Sequence, residues 1–263
     1  MAVLALAGCG GGSDGGTPGV TVGAARTYSL VVHHTANVLT LKILQPDGTP
    51  LTKLKHGSGP HNGVHVIVVR RDLSTILHDH PRVRPDGSFD VDIAALPAGP
   101  YRVVTDVYPA SGAQPNFQLF ADLKRPGGYT PKPLPPLVRT QTVDGFTFTL
   151  RNVPRLRAIE PAFLHFTVTR DGKPAQFTPW FGALAHAIFF REGTLDYFHT
   201  HVCAPGAAGC ASVFGGAKVT GSSATPGKLD VGVLVPVAGT WRLFLQCKVD
   251  GHVLTAPFTL HVR

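Results

Sequence analysis

The stretch Gly63-Val-His65-Val-Ile-Val-Val-Arg-Arg-Asp-Leu-Ser-Thr-Ile-Leu-His78-Asp-His80 has a counterpart later in the same chain. It is Leu184-Ala-His186-Ala-Ile-Phe-Phe-Arg-Glu-Gly-Thr-Leu-Asp-Tyr-Phe-His199-Thr-His201. Both read His, twelve residues, His, one residue, His. The flanks agree in the same order. Asp47-Gly-Thr-Pro50 matches Asp171-Gly-Lys-Pro174, and Phe89 to Val103 matches Leu229 to Leu243 through a shared Ala-Gly before Tyr101 and Trp241. Matching blocks in one order are the mark of an internal duplication.

The duplication divides the chain. Residues 21–125 and 142–263 read as two domains, opened by Thr21-Val22 and Thr142-Val143, and residues 126–141 as a Pro-rich linker. Five prolines between Pro126 and Pro136 make that connector stiff and extended. The second copy carries an insertion between His201 and Pro226.

Each copy reads as a succession of short strands. Val38 to Leu44 is a strand ended by the turn Pro46-Asp-Gly48. His65 to Val69 is a near-continuous apolar run, which suits a central strand. Ser88 to Ile93 alternates. Tyr101, Val103, Thr105 and Val107 share a face, as do Trp241, Leu243, Leu245 and Cys247. Composition agrees: 30 Gly, 23 Pro and only 15% charged residues among 263, with Glu confined to Glu160 and Glu192. That excludes a helical bundle, a coiled coil and most helix-rich enzymes. The fold expected is all-β, two tandem immunoglobulin-like sandwiches, with a cupredoxin-like sandwich as the alternative architecture.

The phrases Val64-His-Val-Ile-Val-Val-Arg-Arg-Asp-Leu73, His78-Asp-His-Pro81 and Pro97-Ala-Gly-Pro-Tyr-Arg102 resemble a family of secreted bacterial Ig-like proteins. The Pro-Ala-Gly-Pro-Tyr element also resembles the YtkA-like domain. The resemblance covers both copies and implies an Ig-like fold and a metal-associated lipoprotein.

Thirteen His stand against a single Met, Met1. Alternation puts His78 and His80 on one face of a strand, as it does His199 and His201. A hairpin around Arg71-Asp72 would bring His65 beside the first pair, with His61 as a fourth donor and His56 near. The same construction in the second copy uses His186, with Gly182 in the place of His61. Two metal sites are therefore expected, one per domain. Three or four imidazoles suit Zn2+ or Cu2+. The absence of Met thioethers from the mature chain argues against Cu+, and Cys247 lacks the His and Met partners of a blue-copper centre. Asp106, with Gln246 in its place in the second copy, is a candidate carboxylate partner to a ligating His, or else a partner of Arg102.

The competing reading is a structural or interaction module of the cell envelope whose His pack and bond backbone carbonyls. His33, His34, His165, His252 and His261 fall outside the repeat and are read that way. A third reading is a metal-dependent hydrolase, since a three-His site with an open position can activate water. No Gly-x-Ser-x-Gly, Ser-x-x-Lys, His-Glu-x-x-His or phosphate-binding loop is present, so no catalytic residue is assigned.

Residues 1–20 read as a lipoprotein signal and Gly-rich tether. Leu6-Ala-Gly-Cys9 resembles a bacterial lipobox, which implies acylation of Cys9 and a membrane anchor outside the cytoplasm. It departs from that pattern in lacking a positive start and in the shortness of its apolar run; the alternative is an ordinary N-terminus. Cys203 and Cys210 bracket a loop that can close as a disulfide, and Cys247 is a buried free thiol. Net charge is +8, but the basic residues are scattered, which argues against nucleic acid. The partners expected are the membrane, through the anchor, and a metal-handling or envelope protein.

Overall fold

The computed structural model describes residues 27–263 except 58, 111–115, 154, 205–211, 215–216, 220 and 224. The signal and tether of residues 1–20, with Cys9, lie outside the described residues, as does Cys210. No described helix is long and apolar enough to cross a membrane.

The first sandwich contains β1 (Ser29–His34), β2 (Val38–Leu44), β3 (Val64–Arg70), β4 (Ile76–Asp79), β5 (Ser88–Asp92), β6 (Gly99–Val107) and β7 (Phe117–Arg125). Its sheets have the orders β1-β2-β5 and β4-β3-β6-β7. After the linker come β8 (Thr140–Val143), β9 (Phe146–Leu150), β10 (Ala162–Arg170), β11 (Lys173–Pro174), β12 (Phe177–Thr178), β13 (Ala183–Arg191) and β14 (Tyr197–Cys203). They are followed by β15 (Ser212–Phe214), β16 (Ala217–Val219), β17 (Lys228–Val233), β18 (Gly239–Val249) and β19 (His252–Val262).

In the second sandwich one sheet runs β8-β9-β10-β17 and the other β14-β13-β18-β19, with β11 and β12 as short edge additions. Strands β2, β5, β3 and β6 thus correspond to β10, β17, β13 and β18. Every pairing between these strands is antiparallel. This is the immunoglobulin-like arrangement twice over, with the fourth strand of each copy paired to the third.

A second signature repeats with it. Tyr101 OH donates to the carbonyl of Pro97 at 2.7 Å, and Trp241 Nε1 donates to that of Val237 at 3.1 Å. Both reach back four residues at the start of the equivalent strand, the corner expected of such sandwiches. Gly99 and Gly239 precede them with φ of 138° and 139°, and a side chain there would meet Arg70 and Arg191 respectively. The repeated Ala-Gly therefore fixes the same corner in both copies.

Strand alternation sends Val64, Val66 and Val68 into the first core with Leu39, Leu41 and Phe89. Ala185, Ala187 and Phe189 point into the second core with Phe166, Leu243 and Phe258. An antiparallel sandwich strand normally turns its other face to water. Here β3 is buried at every position and β13 at all but its last. The reason is a third apolar cluster between the sandwiches. Ile67, Val69, Leu73 and Val104 from the first meet Ile188, Phe190, Leu195 and Phe244 from the second. The β4-β3-β6-β7 and β14-β13-β18 faces are therefore packed on each other. The linker joins this layer: Leu134 packs against it, Lys132 N donates to Asp72 at 3.1 Å, and the Arg70 guanidinium lies 4.6 Å from the Tyr129 ring centre.

Candidate metal centre

The faces that carry Ile67 and Ile188 continue, one strand alternation earlier, as His65 and His186. His65 pairs across to Asp106 of β6 and His186 to Gln246 of β18. On the hairpin strands, His78 stands opposite Ile67 and His199 opposite Ile188, with His201 opposite His186. His80 follows the end of β4 and stacks on His65 with ring centres 3.7 Å apart. Each buried face is thus apolar at one end and lined with imidazoles at the other.

Packing the faces together corrects the expectation of two separate sites. The triads form one cluster spanning the domain boundary. The apolar rows of each face find cover only against the other domain, and burying them carries the histidines together. Among the described residues, three His groups, each with ligand atoms within 4.8 Å of one another, could hold a metal ion: His65-His78-His80, His65-His199-His201 and His78-His186-His199. Two of the three mix domains.

His78, His186 and His199 have ligand atoms within 4.8 Å of one another, and His80 adjoins this set through His78. His78 Nε2 and His80 Nε2 are 3.1 Å apart, and His186 Nδ1 and His199 Nε2 3.3 Å. Metal–nitrogen bonds of about 2.0–2.1 Å in a tetrahedron put neighbouring donors about 3.3–3.4 Å apart and ring centres about 5 Å apart. Ring centres of His78 lie 4.9 Å from His80, 4.9 Å from His186 and 5.3 Å from His199. His186 lies 5.5 Å from His199 and 5.8 Å from His80.

The outer nitrogens are oriented by oxygen atoms. His78 Nδ1 donates to Gln246 Oε1 at 3.0 Å, and His186 Nε2 donates to the Trp180 carbonyl at 3.0 Å. His199 Nδ1 faces Asp106 Oδ2 at 3.9 Å. A donor bond on one nitrogen sets the tautomer and leaves the other nitrogen's lone pair for an ion. Asp106 accepts from Tyr108 OH at 3.3 Å and Gln118 Nε2 at 3.4 Å. It does not pair with Arg102, which bonds Asp122 at 3.0 Å instead. Asp106 lies on the interdomain face, on the side of β6 opposite Tyr101 and Val103.

His65 and His201 are 0% and 2% exposed, and among the described residues neither ring nitrogen of either has a hydrogen-bond partner. Backbone groups of Pro60 and Asn62 face His65 without reaching hydrogen-bond geometry. Buried polar atoms of this kind are rare in folded proteins. His61 stacks on Tyr108 at 5.4 Å and lies edge-on to His201 at 4.9 Å.

Burial holds the six triad histidines below their ordinary pKa, and mutual repulsion of their charged forms adds to this for His65, His78, His80, His199 and His201. His186 falls to about 4, by burial, against the opposing Trp180 bond. All six are neutral near pH 7, the form that ligates. Burial pushes Asp106 up to about 6. Cys247 is free, buried and raised to about 12 by burial, so its thiol is inert. Cys203 is disulfide-bonded.

Sequence reasoning missed the segment that closes the cluster. Trp180 lies edge-on to His78 and His186, and Phe181 stacks on His80 at 3.7 Å with the rings 5° from parallel. Gly182 has φ of 77°, and a methyl group there would run into Gly59 O and Pro60 N at 2.7 Å. The place of a fourth donor in the second copy is thus where the loop before β3 passes. His56, Asn62, His80 and Arg82 line a surface depression of about 390 Å³ that leads from solvent to the cluster's edge. His33, His34, His165, His252 and His261 are all exposed, and His165 bonds Asp230 at 2.6 Å.

Fold and site together define a class: a tandem Ig-like pair with a histidine cluster buried between its halves. The model of a family described as Domain of unknown function (DUF8832) matches residues 141–263, the second sandwich. No curated protein matches. Among solved structures, the chain is similar to a tetra-tandem repeat in the extending region of a large adhesion protein, at 14% identity, 90% and 49% coverage of the two chains and a TM-score of 0.26. It is similar to invasin, a bacterial integrin-binding protein, at 12% identity, 90% and 39% coverage and a TM-score of 0.26. It is also similar to fibronectin(III)-like modules of Clostridium thermocellum CbhA, at 9% identity, 89% and 93% coverage and a TM-score of 0.23. The chain spans about half the length of the first of these and about two-fifths of the second.

Proposed function

We propose that this chain is a membrane-anchored, extracytoplasmic protein that binds a divalent metal ion, Cu2+ or Zn2+, between its two sandwiches. His78, His80, His186 and His199 hold the ion, and Gln246 and the Trp180 carbonyl orient two of the rings. The observation that carries this reading is the pairing of inner nitrogens at 3.1 and 3.3 Å while outer nitrogens bond oxygen. The extracytoplasmic location is supported by the disulfide at Cys203 and by the lipobox resemblance at Leu6 to Cys9. The resemblance to secreted Ig-like and YtkA-like proteins points the same way. The protein would serve as a sensor, buffer or delivery partner for the metal.

Titration of the chain with Zn2+ and Cu2+ tests the reading, beside His78→Gln and His186→Gln. Micromolar or tighter binding that both substitutions weaken supports it. Absence of binding by the folded protein would leave the other class, an envelope interaction module whose histidines are packing groups.

A further inference from the structure

One tetrahedral ion uses four nitrogens, and the cluster holds more imidazoles than that. The two left over are unlike the rest. His65 and His201 are both buried, and all four of their ring nitrogens lack a partner. They come from opposite domains, on strands β3 and β14, with ring centres 5.8 Å apart. With His199 their ligand atoms lie within 4.8 Å of one another. His61 stands at the open side, 4.9 Å from His201, where Tyr108 supports its ring.

From this we infer a second metal position, held by His65 and His201 beside His199 and with His61 at its open side, so that the protein carries a binuclear centre. The inference rests on the metal-binding reading above. The chemistry of the donors, neutral imidazole alone, selects the same ions as the first position, Zn2+ and Cu2+. Each position has one partly buried ring, His80 in the first, where it also lines the surface depression, and His61 beside the second. An imidazole set completed by a partly exposed ring has room for a further small ligand such as water.

The test is stoichiometry on the full chain, loaded with Zn2+ or Cu2+, stripped of excess metal and weighed by native mass spectrometry. Two ions per chain are expected. His65→Gln combined with His201→Gln retains one ion, and His78→Gln combined with His186→Gln loses the tighter one. Glutamine keeps each site filled, and far-ultraviolet circular dichroism of each metal-free variant checks its fold. Two Cu2+ ions in one chain should also give a half-field resonance in electron paramagnetic resonance, lost in His65→Gln/His201→Gln. A folded wild-type chain that saturates at one ion, unaffected by His65→Gln/His201→Gln, overturns the second position and leaves the first standing. A chain that binds none overturns both.

Discussion

His78 donates its Nδ1 hydrogen across the domain boundary to Gln246 Oε1 at 3.0 Å, and the repeat-equivalent pair, His199 and Asp106, face each other in the opposite sense at 3.9 Å. Gln246 is itself held, its Nε2 donating to Thr255 Oγ1 at 3.0 Å. With the amide nitrogen on Thr255, the oxygen faces the imidazole. Gln246→Leu should lower metal affinity by about 10–100-fold while leaving the fold intact. Competition against a chelator of known affinity measures it. Unchanged affinity in a folded Gln246→Leu protein would remove Gln246 from the centre's support.

The metal-free protein should lose stability as pH falls. The unfolded chain takes up protons on its histidines near pH 6.5, while the folded cluster, with depressed pKa values, does not. The unfolded state then binds more protons, and each such histidine costs about 1.4 kcal/mol per pH unit below about 6.5. For His186 the cost accrues down to about pH 4. Asp106 works in the other direction. Its folded pKa of about 6 means that the native state binds the extra proton between about pH 6 and its ordinary value of 3.8, offsetting one histidine in that window. Urea midpoints in chelator at pH 7.5 and pH 5.5 should differ, the latter lower. A midpoint that holds or rises would contradict burial of the cluster.

Gly182→Ala should loosen the join between sandwiches. The left-handed backbone alone costs a non-glycine residue about 1–2 kcal/mol. The added methyl also has backbone, not a movable side chain, in its way. The expected result is a lower melting temperature and weaker metal binding. Gly172→Ala, also at positive φ but with open space around its Cβ, isolates the backbone cost.

Phe190→Ala removes a fully buried ring from the layer between the domains. Loss of a buried Phe typically costs about 3–5 kcal/mol. Because the same layer brings the imidazoles together, metal affinity should fall with stability. Tyr101→Phe serves as the contrast. It removes one corner hydrogen bond, a cost of about 0.5–1.5 kcal/mol, and should leave metal affinity alone.

Much of the fold was legible from local patterns. Val38 to Leu44 is strand β2 at the expected bounds, and the Ala-Gly before Tyr101 and Trp241 repeats a corner that the structure shows twice. The six triad histidines were legible from spacing, because alternation and a hairpin are local rules. Their grouping across domains was not, since contacts between the copies leave no period in the sequence. Trp180 and Phe181 illustrate this: they act on His78 and His80, residues of the other copy. One signal was present. His65 to Val69 and His186 to Phe190 are apolar on both faces, and in an antiparallel sandwich that calls for a further layer on the outer side.

The loop crossing at Gly182 has an evolutionary consequence. Two identical subunits related by a two-fold axis make every off-axis contact twice, residue i to j and j to i, so both halves of the interface are the same. Covalent fusion lifts that restriction. His61 on one copy and Gly182 on the other occupy matching places in the repeat, one offering an imidazole and the other making room for the loop that carries it. Asp106 and Gln246 have diverged in the same way, so one half of the cavity is acidic and the other neutral. A pair of separate, identical chains could not hold such a lopsided chamber; a single gene encoding both halves can refine each wall on its own.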